Sequence, residues 1–319
     1  MEYLIGVDGG GTRTTVALAD LERREILRRE GTAGIVDPRN PTASVDMLHS
    51  LIRRTVAEAG LSAPAAALCA GLAGVGDPAE CETVRKALAD TGAADHVRLV
   101  CDGEIALEGA LRGEPGILLI AGTGSIAYGR GADGRMERCG GWGMMVGDEG
   151  SGYAIGRAAL VAALRAADGR GAGTRLLPGL LEQLRITDLH TIPSWAGRVA
   201  KAEIAALVPE VVRLAGEADT VALGILRDAA SDLALHAAAL VGRLQPWLAA
   251  TPVVFFGGMF RTPMFVQLVT AAMTQTMPSG FEVRAPAEDA VTGALRIASD
   301  LIAPQTLHPD TCLPHPPLR

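Results

Sequence analysis

The sequence has no C-x-x-C pair, no surplus of positive charge and no apolar run long enough to cross a bilayer, and each absence removes a class of protein. Its five cysteines (Cys69, Cys81, Cys101, Cys139 and Cys312) stand singly. Such spacing supplies neither a thiolate-held cluster nor a disulfide framework, and buried free thiols in a reducing cytoplasm account for it. The formal charge of −7 argues against nucleic-acid or anionic-membrane partners, although a small anionic ligand remains compatible. No uncharged stretch approaches the roughly 20 residues a spanning helix needs, and no cationic n-region precedes the first strand, so a cytoplasmic globular protein is expected. A Walker A loop is also missing, because no Gly-Lys-Ser/Thr follows any glycine cluster.

What the chain does contain is one design written twice. LIGVDGGGTRTTVALAD (Leu4 to Asp20) and GILLIAGTGSIAYGR (Gly116 to Arg130) each read as an apolar strand, a glycine-rich turn with Thr or Ser, and a second strand, about 110 residues apart. A glycine turn of this kind aims backbone N–H groups at one point, which favours a phosphate. The first turn leads into Thr14, Thr15, Val16 and Leu18, a β-branched run that reads as strand, whereas a dinucleotide-binding fingerprint leads into a helix. Phosphate is therefore expected between antiparallel strands.

At 319 residues two domains are expected. Periodicity predicts strands at 3–8, 14–20 and 25–29, a helix over 42–59, and then strand, helix, strand and helix over 65–70, 78–91, 97–101 and 104–112. The pattern restarts with strands at 117–121, 125–129 and 135–138, runs mostly helical from 153 to 247, and closes with strand, helix, strand and helix over 253–256, 263–276, 281–284 and 288–301. The expected division is 1–112 and 113–287, with the helix near 288–302 joined to the first domain and a proline-rich, irregular tail at 303–319.

Three carboxylates sit where chemistry is placed in α/β proteins. Asp8 ends the first strand beside the glycine turn, where it can cap local N–H groups or hold a hydrated magnesium, and the second turn favours the metal. Asp102 ends the apolar strand VRLVC before a helix, at the strand end where ligands gather. Asp148 and Glu149 precede a helix whose expected cap is Ser151, after Gly141, Gly143 and Gly147, which let backbone approach a ligand. One carboxylate accepts two hydroxyl hydrogen bonds, which suits adjacent hydroxyls of a pyranose. His308, Cys312 and His315 in the tail fall short of a zinc site.

These motifs resemble the superfamily of sugar kinases, heat-shock chaperones and actin. That resemblance implies two ribonuclease-H-like α/β domains with an interdomain cleft and helical insertions in the second. GGWGMMVGDEGSGYAIGRAAL (Gly140 to Leu160), CAGLAGVG (Cys69 to Gly76), FFGGMF (Phe255 to Phe260) and EDAVTGALRIA (Glu288 to Ala298) are similar to the N-acetylglucosamine kinase and BadF/BcrA-type ATPase group over most of the chain. The resemblance implies an ATP- and Mg2+-dependent kinase that phosphorylates the 6-hydroxyl of N-acetylglucosamine, working as a homodimer. Glucosamine and N-acetylmuramic acid are alternative acceptors.

By the same resemblance Asp8, Gly9, Gly10, Gly11 and Thr12 form the first phosphate loop, with Asp8 also on the metal, and Gly122, Thr123 and Gly124 form the second. Gly257, Gly258 and Thr262 pass the adenosine, and Asp102 is the catalytic base. Ser125, Gly141, Trp142, Gly143 and Asp148 join Asp102 on the sugar. Animal N-acetylglucosamine kinases carry an asparagine where this chain reads GTAGIVDPRNP (Gly31 to Pro41), and Asp37 is its nearest polar equivalent, which puts the substituent at carbon 2 in doubt. An activator ATPase of 2-hydroxyacyl-CoA dehydratases would need paired cysteines for its iron–sulfur cluster. A zinc-containing ROK kinase would need the absent C-x-C-G-x-x-G-C cluster, and an actin-like ATPase with a protein client has no use for the sugar signature.

Overall fold

The computed structural model describes residues 1–11, 13–32, 40–75, 78–277 and 279–303. Thr12, Asp37 and all of the tail except Ala303 lie outside them. In chain order the first elements are β1 (Leu4–Gly9), β2 (Arg13–Ala19), β3 (Glu25–Thr32), α1 (Pro41–Glu58), β4 (Ala65–Leu72), α2 (Pro78–Asp90), β5 (Ala94–Cys101) and α3 (Asp102–Leu111). There follow β6 (Gly116–Ala121), β7 (Ser125–Arg130), β8 (Met136–Gly140), α4 (Gly152–Ala167), α5 (Leu176–Leu184), α6 (Ile192–Ala196), α7 (Lys201–Ala205), α8 (Val208–Gly216) and α9 (Thr220–Arg243). The last are β9 (Thr251–Phe256), α10 (Pro263–Thr276), β10 (Phe281–Arg284) and α11 (Ala290–Leu301).

Two units divide these elements, Met1–Pro115 with the segment from Ala285 onward, and Gly116–Arg284. Each holds a five-stranded sheet, in the order β3-β2-β1-β4-β5 and β10-β9-β6-β7-β8. Read from its antiparallel edge, the second order repeats the first. In each, a hairpin pair and a third strand are antiparallel, and two helix-crossed strands add in parallel. The fold is thus a duplicated α/β architecture with helices α5 to α8 inserted in the second unit.

The first unit buries its sheet on both faces, which is why β1 reads as an unbroken apolar run. Ile5 and Val7 pack with Leu48, Ile52 and Leu88 on one side, while Leu4 packs with Val100, Ile105 and Leu295 on the other. Helices α3 and α11 cross at bare backbone. A Cβ on Gly293 would stand 2.0 Å from the Ile105 carbonyl oxygen, and one on Gly109 2.1 Å from that of Asp289. Only glycine permits that approach.

In the second unit Ile117 and Leu119 of β6 join the core formed with α4, α8, α9 and α10. No helix among the described residues is long and apolar enough to cross a membrane. Cys69, Cys101 and Cys139 are free thiols.

Candidate functional site

The first unit gathers its candidate residues at the carboxyl ends of three neighbouring parallel strands. Asp8 pairs with Gly71 in the β1–β4 register, and Leu72 of β4 pairs with Cys101 of β5. Asp102 follows at once, as the first residue of α3 rather than a residue ahead of the helix. Its Oδ1 accepts the Gly103 N–H at 2.9 Å. Burial pushes the Asp102 carboxyl above its ordinary range. Burial, reinforced by the charge of Asp102, pushes Asp8 up to about 6. Between β1 and β2 the Gly10 N–H donates to the Arg13 carbonyl at 3.0 Å, closing the turn that carries Gly9, Gly10 and Gly11.

A paired, partly desolvated set of carboxylates is a suitable seat for a divalent cation. No group of three or more His, Cys, Asp or Glu side chains that could hold a metal exists among the described residues. An ion here would therefore take its remaining ligands from water and phosphate, which fits magnesium.

The second unit builds a different environment around its glycine turn. The Gly122 N–H donates to the Gly124 carbonyl at 2.8 Å, while the Thr123 and Gly124 N–H groups have no acceptor among the described residues. The first N–H groups of α4 brace this turn from behind, Gly152 to the Gly122 carbonyl at 2.8 Å and Tyr153 to the Thr123 carbonyl at 3.3 Å. Ser151 caps the helix by accepting the Ala154 N–H at 3.1 Å, as its position before α4 predicts.

Asp148 is held as firmly as the turn. It adopts φ +62°, a left-handed conformation that costs a non-glycine residue about 1 kcal/mol or more unless its surroundings fix it. Its Oδ1 accepts the Ser125 N–H at 3.2 Å, and its Oδ2 accepts the Lys201 ammonium at 2.5 Å. The Ser125 hydroxyl is itself buried and donates to the Glu149 carbonyl at 2.6 Å. Asp148 and Ser125, two of the expected sugar ligands, are thus already engaged by protein.

Gly141 and Gly143 have φ +71° and +84°, and they bracket Trp142, whose ring is about half exposed. The Arg138 guanidinium lies 5.4 Å from the centre of that ring, within cation–π range. Met144, Met145 and Val146 continue the loop and are exposed.

A cavity of about 650 Å³ adjoins the turn, lined by Gly122, Thr123, Gly258 and Thr262, with Ala202 and Ala205 of α7 opposite. Four of the expected nucleotide contacts therefore line one cavity. Gly257 does not line it. A Cβ there would sit 2.4 Å from the Ala121 carbonyl, so that glycine serves the close packing beside β6. A larger hollow, about 810 Å³ along α1 near His49 and Arg53, contains none of the expected residues. Thr12 and Asp37 lie outside the described residues.

The sequence argument had no place for Lys201, which the fold delivers to Asp148 from the inserted helices. A signal was available: the chain has two lysines, Lys86 and Lys201, against a large excess of arginine.

The model of the BadF/BadG/BcrA/BcrD ATPase family matches residues 5–298. The chain belongs to that family. This family member is 35% identical over 244 residues to the N-acetylmuramic acid/N-acetylglucosamine kinase of Clostridium acetobutylicum, covering 76% of this chain and 80% of the relative. It is 24% identical over 267 residues to a glucosamine kinase of Vibrio cholerae, covering 78% and 88%. Among solved structures, a putative N-acetylglucosamine kinase from Chromobacterium violaceum matches with a TM-score of 0.74 and 31% identity, covering 92% of this chain and 98% of that one. The two-unit, actin-like sugar-kinase fold follows from that likeness.

Proposed function

We propose that the chain is an ATP-dependent amino-sugar kinase that transfers the γ-phosphate of ATP to the 6-hydroxyl of N-acetylglucosamine. The single observation that carries this reading is the placement of Asp102 and Asp8 at the same edge of one sheet, at the ends of β5 and β1 with β4 between, close enough for the charge of Asp102 to act on Asp8: a raised carboxyl available as base and a carboxylate suited to a phosphate-bound cation. The kinases it resembles in Clostridium acetobutylicum and Vibrio cholerae support an amino-sugar acceptor.

In this mechanism Asp102 accepts the proton of the sugar hydroxyl as its oxygen bonds to the γ-phosphorus and the bond to the β,γ-bridging oxygen breaks, releasing ADP. Phosphoryl transfer of this kind asks for position and charge neutralisation more than for a strong base. The Thr123 and Gly124 N–H groups donate to phosphate oxygens, and the cavity lined by Gly258 and Thr262 takes the adenosine. Asp8 would hold magnesium, which would supply neutralisation of the phosphate charge. Trp142 and the glycines beside it line the sugar. Asp148 keeps its ion pair and uses remaining lone pairs for hydroxyls. A homodimeric assembly and a cytoplasmic location belong to the same proposal, supported by the family resemblance.

The test is ATP consumption with N-acetylglucosamine, glucosamine, N-acetylmuramic acid and glucose, against a no-sugar control. N-acetylglucosamine is expected to give the highest kcat/KM and a 6-phosphate product. ATP hydrolysis independent of sugar, with no phosphosugar formed, overturns the kinase reading. A stronger response to glucosamine moves the acceptor without changing the chemistry.

A further inference from the structure

A carboxylate stands inside a turn built for anions. The position a Cβ would occupy on Gly124 is 2.8 Å from Asp148 Oδ1 and 2.7 Å from Lys201 Nζ, so both charges sit against the glycine whose N–H has no acceptor among the described residues. Asp148 alone would repel a phosphate arriving there, and a short separation in a partly desolvated site makes that repulsion strong. Its side chain is only 6% exposed, so water screens it little. Lys201 balances the charge, and its own side chain is 29% exposed, well above the 6% of Asp148.

An ammonium has three N–H donors, and among the described residues Asp148 is the one acceptor for that of Lys201. The next residues of its helix, Ala202 and Ala205, line the same cavity as Gly122 and Thr123. Lys201 itself does not line that cavity; it precedes Ala202 and stands against Gly124, the residue after Thr123. Arginine carries nearly all the positive charge of this chain, yet a lysine is used here. A compact ammonium fits against a bare glycine, and a planar guanidinium does not.

We infer that Lys201 is shared between Asp148 and the terminal phosphate of the donor nucleotide, binding that phosphate while holding Asp148 in place for the sugar. The inference rests on the kinase reading for the identity of the donor, but its test is a binding measurement that does not require turnover.

Calorimetry with magnesium compares ADP with the non-hydrolysable β,γ-imido analogue of ATP. Lys201→Met leaves Asp148 buried without its cation, so the decisive variant is the neutral pair Lys201→Met with Asp148→Asn, whose fold is checked by circular dichroism. The wild type is expected to prefer the ATP analogue over ADP, and the double variant to lose about tenfold or more of analogue affinity while ADP changes little, the scale of one charge-assisted hydrogen bond. Asp148→Asn alone keeps or strengthens analogue binding and weakens sugar binding. Unchanged discrimination between analogue and ADP in the double variant overturns the role of Lys201. Absence of sugar-dependent ADP release by the wild type overturns the kinase reading instead, so the two failures are distinguishable.

Discussion

Burial and the charge of Asp102 together hold the carboxyl of Asp8 above its ordinary range, although 94 positions separate the two residues in the chain. Parallel pairing of β1 with β4 and of β4 with β5 brings the two strand ends to the same edge of the sheet with β4 between them, and burial withdraws both carboxylates from water. A pair of this kind binds a proton or a cation more readily than either member alone.

Asp8 should therefore weaken the empty protein near neutrality. A folded-state carboxyl at about 6, against 3.8 for the ordinary group, binds its proton more tightly in the folded than in the unfolded chain. Stability then falls as pH rises from about 4 to 6 and stays lower above that. Asp8→Asn is expected to gain up to about 3 kcal/mol at pH 8 and almost nothing below pH 4. Urea unfolding at both pH values, without nucleotide or divalent ion, checks it, and an equal gain at both excludes the titration as its cause.

Asp102→Asn is expected to lower kcat by about 100-fold or more while nucleotide affinity stays near wild type, the loss typical of a missing general base. In the wild type, kcat/KM should fall on the acid side at a pH above the ordinary carboxylate range, because burial raises Asp102. An acid limb unchanged in the variant would remove Asp102 from the proton transfer.

Gly124→Ala should disrupt the second turn. The added methyl group meets the Lys201 ammonium at 2.7 Å and Asp148 Oδ1 at 2.8 Å, closer than real Cβ contacts, so the ion pair must shift. Turnover is expected to drop at least tenfold with little change in the circular dichroism spectrum, since the turn is at the surface of the core rather than within it.

Trp142→Ala tests the sugar side. The ring is 51% exposed, so its removal should cost less than about 1 kcal/mol in denaturant unfolding. The KM for sugar should rise about tenfold with the KM for ATP unchanged. An equal rise in both would point to collapse of the 141–147 loop.

The strand-turn-strand repeats were readable because each is local. Alternation and glycine spacing over some fifteen residues identify a hairpin, and the observed hairpins β1–β2 and β6–β7 follow the expected ranges closely. Ser151 as a helix cap was readable for the same reason. Lys201 was not, because it enters from the five-residue helix α7 within an insertion, and no local pattern links it to Asp148 53 positions earlier. Nor did the sequence reveal that the Ser125 hydroxyl is consumed by the Glu149 carbonyl, a contact across the second unit.

From residue types and spacing alone, this chain determines its duplicated α/β pattern, its two glycine turns and the carboxylates beside them, since turn chemistry and strand periodicity act over a few residues. Only the tertiary structure decided which charges meet. It set Asp8 against Asp102 through parallel strand order, and it placed Lys201 on Asp148 beside Gly124. The reason is electrostatic: the strength of a charge depends on the water removed from it and the partner supplied to it, and both are fixed by packing between segments far apart in the chain.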